Sequence, residues 1–247
     1  MTNTDQTNEL TTDEKATIPD GPRRALIERM FAVGAHYGYG KSRRHPSAKK
    51  YIFGTKNKTE IFDLEKTSEE LEKAKAFVKG IAESGKMILF VSSKPEAKKF
   101  IKETAESILQ PYVIGRWIGG TLTNFDSIKK RVEKFVDLSN KQEKGELSKY
   151  TKKEKLLISR DIDALENKFG GITAMSSLPA AIFIIDLKKE EIAVKEADAK
   201  RIPIISLSST DCDLSDALYP IPGNDSTQKS IEFFLNEIRD AYKAGKK

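Results

Sequence analysis

The sequence predicts an α/β fold in which a doubly wound parallel sheet carries a protruding helical hairpin. A continuous apolar run at 87–91, bounded by turn-forming residues, is typical of a strand buried on both faces, and 180–185 and 202–207 are also predicted to be buried strands. Amphipathic segments with helical spacing alternate with these runs, as in parallel sheets with helices on both sides. Residues 125–169 instead have apolar residues at coiled-coil spacing.

The first 22 residues differ from this pattern and are expected to form a disordered acidic tail, because they are polar and lack apolar periodicity. Residues 1–20 have a net charge of −4, from five carboxylates and one lysine: Asp5, Glu9, Asp13, Glu14, Asp20 and Lys15. The whole chain carries +6, so residues 21–247 carry +10. This excess suits a polyanionic partner, although a soluble surface rich in both charges is the alternative.

Length and composition exclude several classes of protein. The 247 residues, 38% of them hydrophobic, can bury the core of one large domain. There is no run of eighteen apolar residues, so we expect no membrane span, and the N-terminus lacks the features of a secretory signal. The single cysteine, Cys212, excludes an intramolecular disulfide and fits a reducing cytoplasm.

The predicted body comprises 23–124 and 170–247. Apolar residues at helical spacing predict helices at 26–33, 68–83, 95–109, 190–201 and 230–242. Ser68 is the expected N-cap of its helix. The short extended runs 51–53 and 60–64 can pair as a β-hairpin, and 219–224 is expected to be a turn.

The segment 125–169 is expected to form an antiparallel coiled-coil hairpin inserted into the body. Phe125, Ile128, Val132 and Phe135 follow one another at steps of three and four residues, and a similar seam ends at Phe169. Between the seams, the sequence 151–154 has the pattern of a capping box, which would restart a helix. The alternative is a pair of ordinary helices packed on the sheet.

A basic loop at 34–50 is the first candidate binding site, and we expect it to be exposed because its glycines and charges cannot build a core. Six cationic or titratable side chains lie within ten residues, with tyrosines around them: Lys41, Arg43, Arg44, His45, Lys49 and Lys50. Cations neutralise phosphates and aromatic rings stack on exposed bases, which favours RNA over a solvated loop without a partner.

The segment 115–124, with Trp117 and the pair Gly119-Gly120, is the second candidate. It resembles a turn that cradles an anion, but its spacing is not that of a nucleotide-binding motif. The alternative is a structural turn in which Trp117 fills the junction of hairpin and body. With the basic loop, these segments give the candidate RNA-binding residues Arg23, His36, Tyr37, Lys41, Arg43, Arg44, His45, Lys49, Lys50, Lys56, Lys58, Arg116, Trp117, Thr121, Asn124, Lys129, Lys130 and Arg131.

Acidic residues after two predicted strands, Asp186 and the group Asp211, Asp213 and Asp216, could hold Mg²⁺ for phosphoryl chemistry. Loop solvation and helix capping are the favoured alternative, because no nucleophile, base or phosphate loop accompanies them. His36, His45 and Cys212 do not have the paired spacing of a zinc site. We therefore expect no catalytic residue, metal or cofactor.

Seven segments resemble, in order, the bacterial-type small-subunit ribosomal protein S2 family. They are GAHYG at 34–38, YIFG at 51–54, IFDLEKT at 61–67, RWIGGTLTN at 116–124, GGI at 170–172, LPA at 178–180 and YPIPGND at 219–225. The resemblance covers about residues 24–242. Many members have a histidine where Tyr39 stands and Trp-Asn-Pro-Lys-Met where this chain has residues 44–48.

The resemblance implies a flavodoxin-like sheet with a protruding coiled-coil hairpin and no catalytic activity. It also implies a cytoplasmic location on the solvent side of the small subunit, between head and body. There the protein would contact small-subunit (16S) ribosomal RNA and neighbouring ribosomal proteins and help recruit ribosomal protein S1. Neither a membrane nor a small-molecule substrate is expected.

Overall fold

A computed structural model describes residues 21–145 and 150–246. The predicted acidic tail lies outside these ranges, apart from its last two residues. Seven helices lie in the described ranges: α1 Pro22–Ala32, α2 Leu64–Glu83, α3 Pro95–Ser107, α4 Phe125–Glu143, α5 Lys152–Phe169, α6 Glu191–Ala199 and α7 Gln228–Gly245. The strands described there are β1 Tyr37–Gly40, β2 Ile52–Lys56, β3 Thr59–Phe62, β4 Ile88–Ser92, β5 Tyr112–Ile114, β6 Ala181–Ile185, β7 Ile204–Ser208 and β8 Tyr219–Pro222.

Five strands form a parallel sheet in the order β5-β4-β6-β7-β8. This is the flavodoxin-like order, in which the chain starts inside the sheet, adds one strand on one side and then builds outward on the other. Alternate residues of β4 and β6 enter two hydrophobic cores, one on each face, because successive side chains of a strand point in opposite directions. The predicted α/β fold is therefore confirmed.

Helices cover both faces of this sheet. One core packs α1, α2, α3 and α7 against the face that contains Phe90 and Phe183. The other packs α6 and the body-proximal ends of α4 and α5 against the face that contains Leu89 and Ile184. Among the described helices, none has both the length and the apolar composition that a membrane crossing requires.

A second, three-stranded antiparallel sheet has the order β1-β3-β2. The expected hairpin is present, and Asn57 (φ 50°) and Lys58 (φ 66°) form its two-residue turn in the left-handed region that tight hairpins require. The expectation that 34–50 is wholly exposed was wrong. Tyr37–Gly40 is a strand of this sheet, and Ala48 and Tyr51 belong to a small buried cluster.

Two other local expectations were also wrong. The helix α2 begins four residues earlier than predicted, because the side chain of Asp63 accepts the Glu65 N–H at 3.1 Å and caps it. The segment 219–222, expected to be a turn, is the edge strand β8. Its prolines suit an edge, where one side of the strand needs no hydrogen-bond donors.

The helices α4 and α5 contact each other, and the capping box at the start of α5 is confirmed by reciprocal bonds between Thr151 and Glu154. Their body-proximal ends are buried through Ile128 and Phe169, whereas Leu156, near the far end, is 52% exposed. Residues 146–149 of the predicted link lie outside the described ranges. The coiled-coil seam and the division of the chain into body and hairpin stay predictions.

Candidate nucleic-acid interface

Hydrogen bonds hold the basic loop at 34–50 against the carboxyl edge of the parallel sheet. Thr210, two residues beyond β7, accepts the Tyr39 N–H on its hydroxyl at 2.9 Å and the His45 N–H on its carbonyl at 2.8 Å. The Leu214 N–H donates to Ser47 Oγ at 3.0 Å. A Cβ at Gly38 would lie 2.6 Å from the Thr210 methyl group, so this approach requires glycine. The loop is therefore built onto the body.

Four cations of the basic loop point to solvent: Lys41, Arg43, Lys49 and Lys50. Among the residues that the structure describes, none of them has a carboxylate within 4 Å. The guanidinium of Arg43 lies 5.6 Å from the ring centre of Tyr39, and Lys50 Nζ lies 4.8 Å from that of Tyr51. These aromatic contacts orient the cations without neutralising them.

Lys56 and Lys58 extend this charged surface along the small sheet. Because Gly40 pairs with Thr59 across β1 and β3, Lys41 lies beside the tip of the β2–β3 hairpin that carries both lysines. Both are exposed, and within the described ranges neither forms an ion pair.

Three other predicted RNA-binding residues have acidic partners within the chain. Arg44 Nη1 lies 3.0 Å from Oε1 of Glu60, a carboxylate with no exposed surface. Arg23 pairs with an acidic side chain of α2 at 2.7 Å. His45 Nδ1 lies 3.6 Å from Asp213 Oδ1 and contacts the Ser47 hydroxyl at 2.9 Å. The buried acid that fixes Arg44 was not foreseen from the sequence, where Glu60 stands in an ordinary strand pattern.

The turn 117–123 does cradle an anion, and that anion is the chain's own Glu196, on α6. Its Oε1 accepts the indole N–H of Trp117 at 3.1 Å and the Gly120 N–H at 2.7 Å. Its Oε2 accepts the N–H groups of Leu122 at 2.9 Å and Thr123 at 3.1 Å. Burial alone would raise the pKa of Glu196, but these bonds outweigh it and hold the pKa below the ordinary value of 4.5.

Trp117 and Thr121 therefore have structural positions. The indole of Trp117 is buried in the core beneath the hairpin, and the hydroxyl of Thr121 donates to the Ile118 carbonyl at 2.6 Å. The indole cannot stack on a nucleotide base without leaving that core. The geometry matches the alternative interpretation of this segment, a turn in which Trp117 fills the junction of hairpin and body.

A second cationic surface lies at the body-proximal end of α4, the first helix of the predicted hairpin. Arg116 precedes the turn, and Lys129, Lys130 and Arg131 lie on the first turns of α4; all four are exposed, and none has an ion-pair partner in the described part of the chain. Asn124, the residue before α4, is also exposed, and its side chain does not bond the first turn of the helix. We call Arg116, Lys129, Lys130 and Arg131 the hairpin-base cations.

The predicted acidic cluster separates into two parts. Asp213 caps a short turn by accepting the Ser215 N–H at 3.0 Å, and Asp211 lies 3.6 Å from Lys188. Asp186 instead enters a buried cluster, where Lys94 Nζ lies 2.8 Å from its carboxylate and 3.0 Å from that of Asp225.

Lys94 supplies the positive charge of this buried cluster. The thiol of Cys212 lies 3.5 Å from Asp186 Oδ1, and burial raises the pKa of the thiol, so it stays protonated and unreactive. Burial also raises the pKa of Asp225 to about 6, against the opposing attraction of Lys94.

An aromatic groove of about 660 Å³ opens beside the small sheet. Phe31, Tyr37 and Phe53 line it and are 63%, 51% and 80% exposed. His36 is buried between them, stacked on Phe31 at 4.5 Å, and its Nδ1 has no hydrogen-bond partner among the described residues. Burial lowers the pKa of His36, so the ring is neutral near pH 7. Lys56 also lines the groove, so this mainly apolar surface adjoins the charged one.

Known proteins resemble this chain over most of its length. A family model described as ribosomal protein S2 matches residues 30–245. The small ribosomal subunit protein uS2 of Karelsulcia muelleri is 41% identical over 215 residues, which are 87% of this chain and 97% of that protein. Those of Sulfurimonas denitrificans and Chloroflexus aggregans are 41% and 39% identical over 220 residues, 89% of this chain and 85% and 92% of theirs.

Proposed function

Because the chain belongs to the ribosomal protein S2 family, we propose that it binds small-subunit ribosomal RNA through the basic loop and the hairpin-base cations. The family is a structural, non-enzymatic component of the small ribosomal subunit, so the protein acts in translation, on the ribosome in the cytoplasm. The proposal concerns which surface of the protein contacts RNA. Placement between head and body of the subunit belongs to the same proposal.

The main support for RNA binding through these surfaces is the set of exposed cations that have no carboxylate partner in the described ranges. Lys41, Arg43, Lys49 and Lys50 lie on a loop that hydrogen bonds fix to the sheet edge, so their charges are held in place before a partner arrives. Each cation that neutralises a phosphate releases counterions, which drives binding to RNA. Arg44, paired with buried Glu60, supports the loop and is not assigned a direct contact.

A charge-neutralised loop variant tests this proposal. In it Lys41, Arg43, Lys49 and Lys50 are replaced by Gln, so no ion pair among the described residues is lost. In the matched control, the edge variant, Gln replaces four exposed lysines near the amino edge of the parallel sheet: Lys86, Lys200, Lys243 and Lys246. Both variants lose four positive charges, but on opposite edges.

Sedimentation of tagged protein with reconstituted small subunits is the assay. We expect the loop variant to be depleted from the subunit fraction, while the edge variant co-migrates like the unmodified protein. Circular dichroism checks that both variants are folded. Equal incorporation of the loop variant and the edge variant would refute the assignment.

We also propose that the aromatic groove is the docking surface for ribosomal protein S1. Exposed aromatic side chains gathered in one groove mark interaction sites, and such residues are the usual anchors of interfaces. Phe53 is 80% and Phe31 63% exposed, so a partner that covers these rings would bury apolar surface that the described residues leave open. A nucleotide base stacked on these rings is the alternative occupant.

Phe53→Ala separates the two occupants. We expect it to weaken binding of purified S1 about tenfold or more, as loss of an aromatic anchor does, and to leave RNA affinity unchanged. The control is Leu109→Ala, which removes an apolar side chain of similar exposure, 79%, from the end of α3. Weaker RNA binding with unchanged S1 binding would assign the groove to RNA instead.

A further inference from the structure

The acidic segment 1–20 joins the body close to the basic loop. The first described helix begins at Pro22, and Arg23 Nη2 donates to the carbonyl oxygen of Glu65 at 3.1 Å, so α1 starts against the first turn of α2. The next residue of that turn, Lys66, donates from Nζ to the carbonyl oxygen of Lys50 at 2.9 Å. The segment therefore joins the described chain two side-chain contacts away from Lys50, at the end of the basic loop.

The segment and the loop carry opposite charges. Residues 1–20 have five carboxylates and one lysine, whereas the described part of the chain provides no carboxylate partner for Lys41, Arg43, Lys49 or Lys50. A chain of this length can reach about 66 Å when extended, which exceeds the span of the loop. To meet the segment, these four cations need not leave any ion pair within the described residues.

We propose that residues 1–20 bind the basic loop within the same molecule and compete there with RNA. The proposal rests on the RNA-binding role of the loop given above, and it adds a regulatory partner that lies outside the family match at 30–245. Tethering gives the acidic segment an effective concentration on the order of millimolar at the loop. Even a weak polyanion then occupies the loop for a large fraction of the time.

The consequence is selectivity among RNA molecules. RNA that contacts only the loop must displace the acidic segment and loses about two- to tenfold in affinity at low salt, given tethering at about millimolar concentration. Ribosomal RNA that also contacts the hairpin-base cations gains interactions for which the segment does not compete. Because the competition is ionic, salt above about 0.5 M removes it.

Contact between segment and loop is tested without RNA. The variant Asn8→Cys carries a nitroxide spin label, and the buried Cys212 stays unlabelled. We expect the label to broaden the amide signals of residues 41–50 at low salt, to leave those of Lys86 and Lys200 sharp, and to lose its effect at high salt. Loop signals that stay sharp at low salt would overturn the proposal.

Competition is tested with an RNA hairpin from outside the ribosome. In the tail variant, amides replace the five carboxylates: Asp5→Asn, Glu9→Gln, Asp13→Asn, Glu14→Gln and Asp20→Asn. The matched control neutralises five exposed carboxylates of the body by the same exchange: Glu83, Glu96, Glu103, Glu232 and Asp240. We expect the tail variant alone to bind the hairpin two- to tenfold tighter at low salt.

The outcomes separate this proposal from the function on which it rests. An equal gain in the tail variant and the control would reflect net charge only and would overturn the competition. RNA binding by the unmodified protein with no gain in the tail variant would overturn the competition and leave the proposed function standing. Failure of every variant to bind RNA would overturn both.

Discussion

Glu196→Gln should destabilise the protein strongly, because one carboxylate connects α6 to the turn at the base of the hairpin. Each of its oxygens accepts at least two hydrogen bonds, one from the indole of Trp117 and Gly120 and the other from Leu122 and Thr123. A glutamine offers one acceptor oxygen and one NH₂ group, so at least two donors lose their acceptor. At about 1.5–3 kcal/mol for each charged hydrogen bond, the expected loss for two of them is about 3–6 kcal/mol.

Urea unfolding followed by Trp117 fluorescence measures this loss, because this residue is the only tryptophan in the chain and donates directly to Glu196. The unfolding midpoint should fall by about 1 M or more. Glu191→Gln is the matched control on the same helix, where the exposed carboxylate pairs with Lys195, and it should change stability by less than about 1 kcal/mol. Equal midpoints for Glu196→Gln and the unmodified protein would refute this account of the turn.

The pH dependence of the stability difference between Glu196→Gln and the unmodified protein gives a second check. The folded pKa of Glu196 lies below its ordinary value of 4.5, so its stabilisation is complete above that pH and is lost as the pH falls through the folded pKa. The stability difference between Glu196→Gln and the unmodified protein should therefore be constant from pH 7 to about pH 5.5 and shrink below pH 4.5. A difference that grew on acidification would contradict the assigned charge state.

Two further substitutions test the core of the body. Gly171→Ala would place a Cβ 2.2 Å from the carbonyl oxygen of Tyr112, the first residue of β5. It should therefore lower the free energy of unfolding, measured by heat or urea, by about 1–3 kcal/mol. The control Gly119→Ala faces open space and should be nearly neutral. Lys94→Met would leave the carboxylates of Asp186 and Asp225 buried without a cation and should cost about 3–5 kcal/mol at pH 7. That cost should fall at pH 5, because burial raises the pKa of Asp225 to about 6 and the carboxyl then takes up a proton; a cost that is independent of pH would contradict the cluster.

The parallel sheet was predictable because its evidence is local. The runs that became β4, β6 and β7 are predominantly apolar and bounded by turns, so the local pattern alone indicates strands buried on both faces. The edge strand β8 was missed because prolines at 220 and 222 are turn signals in sequence. Only the tertiary position at the end of the sheet makes them acceptable in a strand.

The binding surface was only partly predictable, since pairing between distant residues decides which charges remain free. The sequence correctly indicates an anion-cradling turn at 117–123, but the anion comes from Glu196, more than seventy residues away in a different helix. Likewise, nothing near Arg44 marks Glu60 as its buried partner. From composition alone, Glu60 and Glu196 count as surface charges, whereas the fold buries both carboxylates.

The salt dependence of RNA binding tests the central claim most directly, because it counts the phosphates that the basic loop neutralises. Binding of a labelled small-subunit ribosomal RNA fragment is measured by fluorescence anisotropy at several salt concentrations for the unmodified protein, the loop variant and the edge variant. The account predicts that the slope of log K against log salt falls by about three in the loop variant, from four lost phosphate contacts at about 0.7–0.9 each, and is unchanged in the edge variant. Identical slopes and affinities for the loop variant and the unmodified protein would contradict it.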